Sequence, residues 1–421
     1  MTTATKAKWL RFLVLVLGGG TIYKLANLKD AFYVPMQEAM GLTHTEIGAL
    51  LSINAIVATA LFIVGGFLAD RFDPRRLIPV GLIGSGALGL YMATFPGFSQ
   101  MMVVFALLAI CADCFFFPSL LKAVRTLGDD GEQGRMFGFL EGGRGIVDTL
   151  VAFSALGVFV LAGSGAVGLK AAILFYSAVN IGAGLLCWFL LRDTGRPVAA
   201  PAPVGLSGLL EAARTPGIWL VSLNVFMVYI VYCGLTYFIP YLKDMYGLPV
   251  ALVGVYGIIN QYFLKVLGGP VGGFLADKKF GSSSRYLKWA FLALLPVMAL
   301  VVALPTGPGY ILPAMAATLS FAFIIFTIRG VFWAPMSEVG IPSRITGSAF
   351  GIGCLIGYAP GMFAYMVYGA ILDRFPGGQG YTYVFGLMSA LAVVGFVVSS
   401  LLHRSIQGGV VPTGMNVVSQ A

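Results

Sequence analysis

The sequence predicts an all-α polytopic membrane protein whose twelve transmembrane helices form two six-helix pseudo-repeats. Of its 421 residues, 58% are apolar and 10% are charged, whereas a soluble globular chain is about 45–50% apolar and about a quarter charged. Twelve stretches are long and apolar enough to span a bilayer, which takes about 20 residues. Short motifs of the first half also recur in the second half. Together these observations argue against a water-soluble enzyme, a nucleic-acid binder and a disordered scaffold.

The predicted spans follow one another with short connections. In order they are 9–36, 46–68, 77–95, 100–123, 136–161, 168–191, 216–240, 250–275, 286–304, 310–335, 346–372 and 383–403. The first span resembles a signal peptide, but no small-residue cleavage site follows, so it is predicted to stay uncleaved. The only long connection is rich in proline and arginine. It divides the chain into an N-terminal bundle (1–191), a cytoplasmic linker (192–215) and a C-terminal bundle (216–421).

The positions of lysine and arginine predict the orientation. With the N-terminus inside, seventeen basic residues fall in the inner segments and only four in the outer loops, namely Lys29, Lys170, Lys243 and Arg374. Because cytoplasmic loops carry the excess of basic residues, both termini are predicted to be cytoplasmic. The net charge of +9 largely reflects this bias. The basic residues form no run longer than two, so the charge does not indicate nucleic-acid binding.

An internal repeat relates the two halves. The segment IGALLSIN at 47–54 matches VGVYGIIN at 253–260, at an offset of 206, and GGFLAD occurs both at 65–70 and at 272–277. Parallel duplication of six-helix halves is typical of one large fold of secondary transporters. The repeat therefore favours transport over a channel.

One of the repeated segments carries a family signature. The stretch GFLADRFDPRR at 66–76 resembles the loop 2–3 signature of the major facilitator superfamily, GxLADRxGRR, and GFLADKK at 273–279 looks like its degenerate copy. The sequence departs from the pattern at Asp73 and Pro74, where the family usually has a glycine. Three further segments resemble the YihN-type permeases of bacterial inner membranes: 18–38, 134–156 and 229–273. The resemblance implies the fold and a location in the bacterial inner (cytoplasmic) membrane.

By this resemblance, the signature residues would form an inner gate. They are Asp70, Arg71, Arg75, Arg76, Asp277 and Lys278. Asp70 would accept hydrogen bonds from a helix N-terminus, pair with arginines and latch the gate closed. The alternative is that these charges only anchor the loops at the lipid headgroups.

Ionisable residues within the predicted spans are costly to bury and therefore point to function. The candidates singled out among them are Lys24, Asp113, Lys122, Glu141, Arg144, Asp148, Lys265, Arg329 and Glu338. Lys122 and Glu338 lie near cytoplasmic ends, where a long side chain can snorkel to the interface. Glu141, Arg144 and Asp148 follow the spacing i, i+3, i+7 and share one helix face. They form either a self-satisfied structural triad or a cavity-facing arginine with a carboxylate that tunes it.

At mid-membrane depth the basic residues outnumber the acidic ones, which predicts a binding site for a small organic anion. The candidate ligands are Arg144, Arg329, Lys24 and Lys265, with Asn54, Asn260 and Tyr358 as polar neighbours. The sharpest hypothesis is that Arg144 and Arg329, one from each half, clamp the anion through their planar guanidinium forks. In the alternative, Asp113 neutralises Arg329, and Arg144 belongs to its own triad. Family analogy makes Asp113, Glu141 and Asp148 the candidates for proton coupling.

The sequence thus predicts a secondary active transporter that moves a small organic anion by alternating access, with proton coupling as a further hypothesis. A metabolite or multidrug exporter of the same superfamily and a non-transporting sensor are the alternatives. The expected partners are the anion, the lipid bilayer and protons, and the expected state is a monomer that binds no nucleic acid. Neither a Walker motif nor a catalytic constellation is present in the sequence. The protein is therefore predicted not to be an enzyme and to need no cofactor or metal.

Overall fold

The computed structural model describes residues 3–127, 133–191, 206–341 and 346–408, and over these ranges the chain is helical without a β-strand. The first helices are α1 Thr3–Thr21, α2 Lys29–Met40, α3 His44–Arg71, α4 Pro74–Met92, α5 Phe98–Ala109, α6 Phe117–Leu127, α7 Gln133–Leu161, α8 Ala166–Leu190, α9 Leu206–Ala213 and α10 Pro216–Gly234. They are followed by α11 Phe238–Tyr246, α12 Val250–Ile258, α13 Leu264–Phe274, α14 Ser283–Ala303, α15 Ile311–Val331, α16 Pro335–Glu338, α17 Thr346–Gly357, α18 Ala364–Arg374 and α19 Gly378–Gln407. The all-α prediction is confirmed for the described ranges.

Ten helical segments of the described ranges are long and apolar enough to cross a membrane. They correspond to ten of the twelve predicted spans. The first predicted span, 9–36, is interrupted by turns at 22–28 between α1 and α2. The third, 77–95, lies largely within α4 and does not meet the same criterion. The number of twelve spans and the cytoplasmic position of both termini stay predictions.

Local sequence signals explain where two of the helices begin. At the start of α3, the Thr43 hydroxyl accepts a hydrogen bond from the Glu46 N–H at 3.1 Å, and the Glu46 carboxylate accepts one from the Thr43 N–H at 2.9 Å. This is a capping box. At the start of α4, the Asp73 carboxylate accepts from the Arg75 N–H at 2.9 Å, and Pro74 occupies the first turn, where no N–H is needed. The departure from the family glycine therefore creates an N-capped helix.

Contacts divide the chain into two compact units. Unit 1 comprises Met1–Ala200, Leu248–Val266 and Tyr365–Asp373, and unit 2 comprises Pro201–Gly247, Leu267–Ala364 and Arg374–Ala421. Of the predicted linker, residues 192–205 lie outside the described ranges. Most of the remainder forms α9.

Unit 1 is built around α1, α4, α7 and α8, with α4 packed along α8. Its core contains the buried side chains of Leu15, Leu82 and Phe116. A buried amide, Asn180 Nδ2, donates to the Ser85 hydroxyl at 3.5 Å between α8 and α4. Apolar burial gives helices in lipid little driving force, so such packing and polar contacts hold them together.

Unit 2 is built around α10, α14, α15, α17 and α19. The Tyr286 hydroxyl on α14 donates to Thr327 Oγ1 on α15 at 2.6 Å. The Glu338 carboxylate accepts from the Ser282 hydroxyl at 3.0 Å and from the Ser284 N–H at 3.3 Å, at the beginning of α14. Glu338 thus binds the protein at a helix N-terminus, where a carboxylate is favoured, rather than simply reaching for the headgroups.

Candidate functional site

The break between α1 and α2 holds a buried ion pair. Lys24 lies in the turns at 22–28, and its side chain is 1% exposed. Its ammonium group forms an ion pair with Asp148 on α7, and Lys24 Nζ also lies 3.5 Å from the centroid of the Tyr262 ring. This cation therefore has both a carboxylate and an aromatic face as partners within unit 1.

A second buried pair adjoins the same break. Lys29 and Asp30, in the first turn of α2, are both buried and form an ion pair with each other. Lys29 Nζ lies 5.4 Å from the centroid of the Tyr365 ring. The orientation count places Lys29 in an outer loop, and Asp30 is not among the predicted site residues. The signal that could have found them is their position inside the predicted span 9–36.

The predicted charge triad of α7 is divided between two partners. Arg144 Nη1 donates to Glu141 Oε1 at 2.7 Å, and Arg144 Nε donates to the Gly19 carbonyl of α1 at 3.1 Å. Asp148, however, pairs with Lys24. All three residues lie on α7, so their spacing does place them on one helix face. The self-satisfied triad is nevertheless wrong, because the Asp148 carboxylate forms its ion pair with Lys24 outside α7.

Asp113 lies in an irregular part of the fourth predicted span. The segment Ile110–Phe116 between α5 and α6 is π-helical, and such wide turns often occur at functional sites. Asp113 Oδ1 accepts a hydrogen bond from the Tyr23 hydroxyl at 2.8 Å. Within the described ranges, no basic side chain forms an ion pair with Asp113.

Arg329 is surrounded by aromatic rings in unit 2. It lies in the last turn of α15, and its guanidinium carbon is 3.9 Å from the centroid of the Tyr232 ring and 5.7 Å from that of Tyr229. The Tyr229 and Tyr358 ring centroids are 5.0 Å apart. Tyr358 in turn accepts a hydrogen bond from Trp333 Nε1 at 3.1 Å. Among the residues that the structure describes, Arg329 has no carboxylate within ion-pair distance.

The other predicted ligands have different surroundings. Asn54 Nδ2 donates to the Phe105 carbonyl at 2.9 Å, so this amide joins α3 to α5. Asn260 is buried in the π-helical segment Ile259–Phe263. Lys265, at the start of α13, is exposed. Lys122, which is not a predicted ligand, donates from Nζ to the Ala69 carbonyl at 2.6 Å.

The predicted inner-gate residues lie at helix ends. Arg71 and Arg76 are exposed, and Arg75 Nε lies 3.5 Å from Asp73 Oδ2. Asp277 and Lys278 are exposed in the π-helical segment Leu275–Phe280. The side chain of Asp70 lies outside the described parts of the structure. The gating role of this set stays a prediction.

A contact at the opposite ends of the spans has no signal in the sequence. Asp373, near the end of α18, accepts from the backbone N–H groups of His44 at 3.1 Å and Thr45 at 2.7 Å, which begin α3. The helices can meet there because of two glycines. A Cβ on Gly48 would lie 2.7 Å from the Met366 Cα atom, and one on Gly369 would lie 2.8 Å from the Thr45 nitrogen. By the orientation predicted above, this α3–α18 contact lies at the outer side.

Known proteins resemble the chain over nearly its whole length. Inner membrane protein YihN of Escherichia coli (strain K12) is 47% identical over 407 residues, covering 96% of this chain and 97% of YihN. The probable sulfoacetate transporter SauU of Cupriavidus necator is 25% identical over 395 residues, covering 87% of each. The crystal structure of a bacterial homolog to the human lysosomal transporter Spinster, inward-facing and unoccupied, gives a TM-score of 0.77 at 14% identity. That match covers 97% of this chain and 99% of the other.

A family profile also matches residues 30–353, and its family is described as the Major Facilitator Superfamily. With the ten membrane-spanning segments and the inner-membrane relative, it identifies a multi-pass protein of the inner membrane. It also points to a transporter rather than an enzyme. The resemblance found in the repeated GFLAD segments is thereby confirmed, and the chain belongs to the Major Facilitator Superfamily.

Proposed function

We propose that the protein is a secondary active transporter that moves an organic anion across the inner membrane by alternating access. The observation that carries the proposal is the environment of Arg329. Its guanidinium group packs on Tyr232, and no carboxylate neutralises it within the described ranges. Arg329 is half-buried within a predicted span, where a cation without a counter-ion is costly. A carboxylate or sulfonate substrate would supply the missing charge with matching bidentate geometry. The similarity to a probable sulfoacetate transporter supports an organic anion.

Arg144 offers a weaker case for the same role. Its guanidinium group already binds Glu141 and the Gly19 carbonyl. The Glu141 side chain is 60% exposed, so this ion pair is worth little. A substrate anion would compete only with the Glu141 carboxylate for the guanidinium group of Arg144. We therefore retain Arg144 as a second candidate ligand and assign the stronger role to Arg329.

Replacing Arg329 with lysine is expected to abolish the thermal stabilisation of the purified protein by sulfoacetate. Lysine keeps the charge but lacks the planar fork that binds two oxygens and stacks on an aromatic ring. For the wild type, a ligand at about 100 times its Kd stabilises the folded state by roughly 2.7 kcal/mol, which a thermal-shift assay detects. Arg404→Lys, at an exposed position near the end of α19, is the matched control.

Two outcomes would decide between the candidate arginines. If Arg329→Lys and Arg404→Lys are stabilised equally by sulfoacetate, Arg329 is not the anion ligand. If only Arg144→Lys loses the stabilisation, the site belongs to α7 instead.

Asp113 is the proposed carrier for proton coupling. Its observed partner is the Tyr23 hydroxyl rather than a cation, so protonation would not break an ion pair. In proteoliposomes, Asp113→Asn is expected to lose anion accumulation driven by a pH gradient while keeping counterflow exchange, which needs no net proton movement. Asp73→Asn serves as a control, because Asp73 is an exposed carboxylate that caps α4, and asparagine caps a helix equally well. Accumulation that withstands both Asp113→Asn and a protonophore would refute proton coupling.

A further inference from the structure

A cavity in unit 2 is lined in part by Trp333, four residues after Arg329 in the chain, and binding of a charged group alone does not explain it. It has a volume of about 310 Å³. Its walls are mostly apolar and include Trp333, Met336, Ser337, Ile341, Ala349 and Phe350. This volume is at the lower end of the range for small-molecule pockets, about 300–1,000 Å³.

The local backbone explains why the cavity opens where it does. α15 ends at Val331, and α16 begins at Pro335. Proline has no N–H to continue the helix. The chain turns tightly between them, with hydrogen bonds from the Ala334 N–H to the Val331 carbonyl at 2.9 Å and from the Met336 N–H to the Trp333 carbonyl at 3.0 Å. Trp333 lies in this turn, four residues after Arg329 in the chain.

A continuous set of aromatic rings connects the cation to this cavity. Tyr229 lies beside Arg329, Tyr358 packs on Tyr229, and Trp333 hydrogen-bonds Tyr358. The Trp333 ring then contacts Phe350 at 5.5 Å between centroids, in the cavity wall. Three aromatic residues of unit 2, Tyr229, Tyr358 and Trp333, therefore connect the environment of Arg329 to the cavity wall.

We propose that the transported anion is amphipathic, with its charged head on Arg329 and an apolar chain or ring in the Trp333 cavity. This inference rests on the proposed function and specifies its substrate class. A small hydrophilic anion would satisfy Arg329 but leave the apolar cavity empty. An uncharged apolar compound would fill the cavity but leave the guanidinium group without a counter-ion. A carboxylate or sulfonate with a short apolar body satisfies both.

The test is the binding of a homologous series to the full-length protein in nanodiscs, where no detergent competes for the cavity. Acetate, butyrate, hexanoate and phenylacetate are the probes, and hexanamide is the uncharged control. Each added methylene is expected to tighten binding about threefold to fourfold until the cavity is filled. Hexanamide is expected not to bind measurably, which separates specific binding from partition into lipid.

Variants of the cavity wall localise the effect. Ser337 is exposed, so Ser337→Phe should fill the cavity without burying new polar groups. We expect it to weaken hexanoate and phenylacetate binding at least tenfold and to leave acetate unchanged. Ser320→Phe is the matched control, since Ser320 is an exposed serine of α15 away from the cavity. Phe350→Ala provides a second approach. Because it enlarges the cavity, the carboxylate that binds most tightly should have a longer chain.

The outcomes separate the two proposals. If acetate and hexanoate bind equally and Arg329→Lys abolishes both, the amphipathic substrate is wrong and anion transport stands. A chain-length effect that both cavity variants leave intact would overturn the assignment to this cavity. If neither these carboxylates nor sulfoacetate binds, the proposed anion transport itself fails.

Discussion

Replacing Asp148 with leucine is expected to destabilise the protein by about 3–5 kcal/mol. The change leaves Lys24, whose side chain is 1% exposed, without its carboxylate. Removing one partner of a buried ion pair costs this much, because the remaining charge stays desolvated and uncompensated. The Tyr262 ring at 3.5 Å can recover only part of the loss, since a cation–π contact is worth about 0.5–2 kcal/mol. Chemical unfolding in lipid bicelles measures the difference.

Two companion variants show whether the pair itself is responsible. The double variant Lys24→Met with Asp148→Leu removes both charges and should recover most of the stability, as apolar replacement of buried pairs often does. Lys170→Met, at an exposed lysine near the start of α8, should stay within about 0.5 kcal/mol of the wild type. Wild-type stability of Asp148→Leu would show that the ion pair contributes nothing to the fold.

Replacing Gly369 with leucine is expected to stop transport by preventing the α3–α18 contact from forming. Even a Cβ at this position would lie 2.8 Å from the Thr45 nitrogen, which is backbone and cannot move aside as a flexible side chain could. A protein that works by alternating access must close its outer side in each cycle. We therefore expect transport to fall at least a hundredfold, and the distance between spin labels on the outer ends of α3 and α18 to increase.

A milder change at the same contact tests the Asp373 carboxylate. Asp373→Asn keeps the size of the side chain but weakens its hydrogen bonds to the His44 and Thr45 N–H groups, since bonds to a charged group are worth about 1.5–3 kcal/mol. The outer ends of α3 and α18 should then separate more often, and the exchange of substrate across the membrane should slow. Gly386→Leu, where a Cβ has open space around it, is the control. Unchanged label distances in both Gly369→Leu and Asp373→Asn would rule out a gate at this contact.

The sequence predicts local features of the site but not the contacts between segments that are distant in the chain. Periodicity correctly places Glu141, Arg144 and Asp148 on one helix face, because the helical repeat is a local property. It could not predict that Asp148 pairs with Lys24, since that depends on which helix packs against α7. The π-helical segment around Asp113 was equally out of reach, because wide turns have no simple sequence signal.

Position within a predicted span singled out Arg329, and the structure gives this residue aromatic rather than acidic neighbours. The same criterion also selected Lys265, which is exposed. Asp373 was missed because a carboxylate at the end of a span looks like an ordinary loop residue. Its role depends on the N-terminus of α3, which is distant in the chain. The internal repeat identified the family because duplication is visible in the sequence itself.

The break in the first predicted span has a consequence for biosynthesis. Lys24 emerges from the ribosome more than 120 residues before Asp148. Since the ribosome adds about 5–20 residues per second, Asp148 is synthesised on the order of 10 s after Lys24. During this time the first segment carries a charge that opposes insertion by about 2.5–3.5 kcal/mol at mid-membrane depth. We therefore expect the first segment to insert stably only once α7 has been synthesised and Asp148 can pair with Lys24.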